Sequence, residues 1–170
     1  SHLANVTGPG CGFLNLQAKA GGTMVANNLT SIVEGTLNFL ADGANSLVDL
    51  GALQQMLATA RLVTFEARNS GTVWLPLLTG GPTVSVNLSS SGVMPVAQMR
   101  RLNGFAVSGM GVDFPALTNL AGGDITVDAG AVVTATNFTS HGQSIGCFGN
   151  VWLVSGAGSV LDFSHLTTLN

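Results

Sequence analysis

One pattern constrains this chain of 170 residues more than any other. Apolar side chains recur seven times at an anchor, three places before it and five places before it. The anchors are Leu29, Leu53, Leu78, Met99, Leu117, Phe138 and Leu166. Three places earlier stand Ala26, Leu50, Leu75, Val96, Phe114, Ala135 and Phe163, and five places earlier Met24, Val48, Val73, Met94, Val112, Val133 and Leu161. All 21 positions are apolar in a chain that is 46% apolar by type, so composition alone does not produce the agreement. The place between the two earlier positions is mixed: Val25, Asp49, Trp74, Pro95, Asp113, Thr134 and Asp162. Such alternation is the period of a strand with one face inward.

A second alternating strand precedes each of these segments. The seven begin Leu14-Asn15-Leu16, Leu37-Asn38-Phe39, Val63-Thr64-Phe65, Val84-Ser85-Val86, Phe105-Ala106-Val107, Ile125-Thr126-Val127 and Val151-Trp152-Leu153. Glycine or a small polar residue sits between the paired strands, where a sharp corner needs it. The anchors are spaced by 24, 25, 21, 18, 21 and 28 residues. A period of roughly 20–30 residues with two or three strands per repeat is that of a solenoid, each coil stacking on the one before. Because parallel crossovers are right-handed, the expectation is an all-β, right-handed parallel β-helix of seven coils. Seven strand spacings of ~4.8 Å give a rod of roughly 34 Å.

Residues 3–170 are then a single domain, with a short N-terminal cap over 3–12 and coils over 13–170. The long sixth interval places an inserted surface loop at 138–150. Cys11 lies in the cap and Cys147 in that loop. Five coil steps separate them, about 24 Å, against the ~7 Å a disulfide spans, so two unpaired, largely buried thiols are expected.

Charged residues are 8% of the chain, against roughly 25% in ordinary globular domains. The formal charge is −3 without clusters, which gives no footprint for nucleic acid or an anionic membrane. No apolar run approaches the ~18 residues of a membrane span. A surface built from Ser, Thr and Asn, with 23 Gly and no Tyr, points to a secreted protein.

The phrase "GVDFPALTNL" at 111–120 returns as "SVLDFSHLTTL" at 159–169. It resembles the degenerate repeats of large secreted β-helical bacterial proteins. Among non-catalytic domains of this architecture and size, the nearest functional analogue is the family 89 carbohydrate-binding module, a xylan-binding β-helix. The resemblance implies a monomeric module that binds a plant polysaccharide, xylan first, and is linked to a glycoside hydrolase. No cofactor and no metal is implied.

Candidate ligand-binding residues follow from the outward positions. Trp74, with Asp49 on the preceding coil and Pro95 on the next, forms an aromatic-and-acid patch on which a pyranose can stack. Trp152 is expected outward on the first strand of coil seven. Glu66 and Asn87 continue with Ser108 and Asp128 as one outward polar column, with Arg68 beside Glu66. Asp113 and Asp162 share a column about 9.6 Å apart, the far edge of the range for inverting glycosidases. Two further readings stay open: a structural or adhesive segment of a surface protein, and a polysaccharide lyase or hydrolase. His141 and His165 lack acids or cysteines at metal-ligand spacing.

Overall fold

The computed structural model describes residues 5–7, 12–57, 60–142 and 149–169. Among them every regular element is a β-strand. The strands fall on three faces. Face one stacks Leu14–Lys19, the second half of Ser31–Asp42, Ala60–Arg68, Val84–Ser89, Gly104–Ser108, Ile125–Asp128 and Trp152–Val154, all parallel. Face two carries Thr23–Val25, Leu47–Asp49 and Thr72–Trp74, then Gly111–Asp113, Val132–Thr134 and Val160–Asp162. Face three holds the short ladder Arg101–Leu102, Asn119–Leu120, Ser140–His141 and Thr168–Leu169, again parallel. The molecule is a parallel β-solenoid. The seven strands of face one bound about six turns, one fewer than the seven coils counted from anchors.

The anchors lie inside. Leu29, Leu53, Leu78, Met99, Leu117 and Phe138 are all buried, and the columns beside them form one continuous core. In-register stacking brings like side chains together. Phe39 pairs with Phe65 across adjacent coils, and their rings stack with centroids 5.3 Å apart.

The corner from face one to face two is made by two successive left-handed residues: Ala20-Gly21, Asn69-Ser70, Ser90-Ser91 and Ala129-Gly130. The following Gly71 and Gly92 lie against the preceding coil. A Cβ on either would stand 2.4 or 2.0 Å from the carbonyl oxygen of Ala41 or Ala67.

Coil five departs from its neighbours. Register runs Ser89, Ser108, Asp128 on face one and Val112 beside Val133 on face two. The first corner therefore takes four steps in coil five, Ser108 to Val112, and five in coil six, Asp128 to Val133. The corner that enters coil five is shorter still, three steps from Leu102 to Phe105 against five from Leu120 to Ile125 on entering coil six. Face two accordingly splits into two three-stranded sheets between coils four and five.

The observed register corrects the expected columns. Phe105 pairs with Val86, not Val84, a shift of two that keeps every side chain on its side. Trp152, not Val151, pairs with Ile125, and a shift of one reverses in and out. The expected 138–150 loop does not hold over its first residues. Phe138 is fully buried and Ser140–His141 is a face-three strand. Cys11, Cys147 and most of the 3–12 cap lie outside the described residues.

Candidate functional site

Trp74 ends its strand on face two and points outward, 47% exposed. Its register neighbour on the preceding coil is Asp49. The bridge Thr72 to Val93 continues to place Pro95 beside it on the following coil. The indole lies along Gly51: a Cβ there would be 3.7 Å from Cδ1 and 3.8 Å from Nε1 of Trp74. Gly51 in turn donates its N–H to Asp49 Oδ1 at 2.9 Å, closing an Asx turn. The three residues expected together, Trp74, Asp49 and Pro95, are together. The patch stops at Pro95, because the sheet of face two breaks before coil five.

Trp152 is not part of an outward platform. Its column is that of Phe65, Val86, Phe105 and Ile125. The ring packs against Phe138, Phe163 and His141 with centroids 6.5, 5.7 and 4.9 Å away. It remains partly exposed because it belongs to the last coil. His141, expected in the surface loop, is buried on face three in the column of Leu102 and Leu120. Its Nε2 has no hydrogen-bond partner among the described residues. Burial pushes the imidazole pKa below its ordinary value.

The polar strip of face one exists, with different membership. Glu66 pairs with Asn87, Asn87 with Ala106 and Ala106 with Thr126. Ser108 and Asp128 belong to the next column, with Arg68 and Ser89. Arg68 is already engaged: it donates to Asp42 Oδ2 at 2.9 Å and to Glu66 Oε1 at 3.2 Å. Asn69 donates to the other Asp42 oxygen at 2.8 Å. These two donors, Asn69 foremost, hold the Asp42 carboxyl below the usual range. Arg68 thus fastens adjacent coils, and so exposed a pair contributes little to stability.

Asp113 and Asp162 have local partners as well. Thr134 donates to Asp113 Oδ1 at 2.8 Å, and Asp162 Oδ1 accepts the Ser164 N–H at 2.9 Å. His165 is hydrogen-bonded through Nδ1 to the carbonyl of Thr136. Among the described residues no group of three or more His, Cys, Asp or Glu is placed to hold a metal ion, and no helix is long and apolar enough to cross a membrane.

One feature of face one was not legible from the repeat. Coil five presents Gly104 and Ala106 where its neighbours present Ser85 and Asn87, or Asp124 and Thr126. Two shallow depressions, of about 200 and 250 Å³, share Asn87, Ala106 and Thr126 in their linings. Together they make a furrow along Gly104–Ser108. No family model, no curated protein and no solved structure matches the chain.

Proposed function

We propose that this solenoid is a non-catalytic carbohydrate-binding module with Trp74 as its stacking platform. The observation that supports it is the outward indole, half exposed, steadied along Gly51 and flanked in register by Asp49 and Pro95. Such a ring offers an apolar face to a pyranose, and the Asp49 carboxylate beside it can accept from sugar hydroxyls. Asp49 Oδ2 has no partner among the described residues, Oδ1 being used by Gly51. The resemblance to the family 89 modules makes xylan the first polysaccharide to test and implies secretion beside a glycoside hydrolase.

Affinity electrophoresis through gels containing soluble xylan, β-glucan or pectin tests the reading. The folded protein is expected to be retarded by one of them, and Trp74→Ala to lose most of that retardation. A folded protein that no glycan retards overturns the proposal. Depolymerisation of any of the three would make it an enzyme instead.

A further inference from the structure

The furrow on face one lies apart from Trp74, which is on face two, and its geometry is that of a track. Its floor is the strand Gly104–Ser108, where Gly104 is buried and carries no side chain and Ala106 is small and half-buried. Gly104 cannot be enlarged, since a Cβ would come within 2.2 Å of the Asp124 carbonyl oxygen. The walls are the outward side chains of coils four and six. They stand two strand spacings apart, about 9.6 Å, and the floor runs for about 13 Å at ~3.3 Å per residue.

What can lie there is restricted by the backbone. The floor strand is paired on both edges, with Val84–Ser89 and with Ile125–Asp128. Its N–H and C=O groups are therefore committed to those ladders, and an extended peptide cannot join by strand addition. Recognition must use side chains, and the walls offer the amide of Asn87, the hydroxyl of Thr126 and the carboxylate of Asp128, while Asn103, at the start of the floor, donates its amide to Ser85 Oγ at 3.3 Å. Asp128 lines the first depression, and its Oδ1, turned away from solvent, has no hydrogen-bond partner among the described residues.

The charge is one-sided. Glu66, Asp124 and Asp128 line the two depressions, and no Lys or Arg does. Arg68, the nearest base in the same columns, is tied to Asp42 and Glu66. A uronate chain would set its carboxylates against these acids with no cation to receive them.

We infer that the furrow over Gly104 and Ala106 is a second binding site, which takes one extended chain of uncharged, hydroxyl-rich sugars laid along the strand. This inference rests on the reading of the protein as a glycan-binding module, and it adds a site that does not use Trp74.

The test compares wild type, Trp74→Ala, Ala106→Ile and the double variant by affinity electrophoresis and calorimetry. The probes are xylo-oligosaccharides, β-gluco-oligosaccharides and oligogalacturonate, and circular dichroism checks each fold. Ala106 points outward, and isoleucine suits a strand, so that variant fills the furrow without touching the core. Ala106→Ile is expected to weaken binding of a neutral oligosaccharide at least tenfold. Trp74→Ala should keep a residual affinity that the double variant lacks, and oligogalacturonate should not bind. If Ala106→Ile binds as wild type does while Trp74→Ala loses binding, the furrow is overturned and the platform stands. If only Ala106→Ile loses binding, the furrow stands and the platform falls. Oligogalacturonate binding as tightly as neutral chains would overturn the ligand class, and no binding by folded wild type would remove both sites. Asp128→Asn, a near-isosteric change, gives an independent check: unchanged affinity would remove Asp128 from the site.

Discussion

Gly92 lies against Ala67 so closely that a Cβ on the glycine would stand 2.0 Å from the Ala67 carbonyl oxygen. The obstacle is backbone from the preceding coil, which cannot swing away as a side chain would. Gly92→Ala must therefore move the corner of coil four outward, straining the two left-handed serines before it, Ser90 and Ser91. Overpacking of this kind costs about 1–3 kcal/mol, and a loss of that size is expected in urea unfolding. Gly149 is the control. No atom of the described residues lies within 4 Å of its missing Cβ, so Gly149→Ala should stay within about 0.5 kcal/mol of wild type.

The two tryptophans should behave as opposites. Trp74 leaves the rod and Trp152 closes its core, touching Phe138 and Phe163. Trp152→Ala removes that packing and is expected to cost about 3 kcal/mol, the low end for a large aromatic because the last coil is partly open. Trp74→Ala should cost under about 1 kcal/mol. With each tryptophan present alone, iodide should quench the Trp74 fluorescence much more strongly than that of Trp152. Equal quenching would contradict the opposite placement of the two rings.

Much of this architecture is written in the sequence because stacking makes the inward columns apolar, His141 being a buried exception. The face-two strands align as the anchors require: Val48 with Val73 and Asp49 with Trp74. Face one was less legible because its register is set by corner lengths, and no apolar pattern counts those residues. Coil five takes three steps from Leu102 to Phe105 where coil six takes five from Leu120 to Ile125, so alignment by strand starts slips. The slip of two left Ser108 and Asp128 outward but in another column, and the slip of one turned Trp152 inward. The furrow was missed for the same reason. Gly104 and Ala106 become a gap only when the correct register sets them between Asn87 and Thr126.

Asp49 has a structural task beside its place in the candidate site. Its Oδ1 accepts the Gly51 N–H at 2.9 Å, and Gly51 is the surface along which the Trp74 indole lies. Asp49→Ala removes one partly buried hydrogen bond and should cost about 1 kcal/mol. Asp49→Asn keeps an acceptor oxygen and should restore most of that stability. If sugars bind at Trp74, both variants should weaken retention less than Trp74→Ala does, because the stacking ring remains. An Asp49→Asn variant as unstable as Asp49→Ala would show that charge, not the turn, is what matters there.

His141 gives the fold a pH dependence whose sign can be worked out. The imidazole is buried among Leu102, Leu120 and Trp152, and burial lowers its pKa in the folded protein. At a pH between the lowered value and the ordinary 6.5, the unfolded chain binds a proton that the folded chain refuses. Stability therefore rises with pH through this window and falls as pH drops below the ordinary value, by at most about 1.4 kcal/mol per unit for one proton. The loss ends once pH passes below the folded pKa. The Asp42 carboxyl, held below the ordinary carboxylate range by Asn69 and Arg68, adds a further loss only in stronger acid. The variant His141→Leu places a leucine in a column that already holds Leu102 and Leu120, so it should fold, match or exceed wild-type stability at neutral pH, and flatten the dependence between pH 6.5 and the folded pKa. Urea unfolding at a series of pH values measures this directly. A wild-type profile already flat across that window, or a slope that survives in His141→Leu, would show that another group carries the titration.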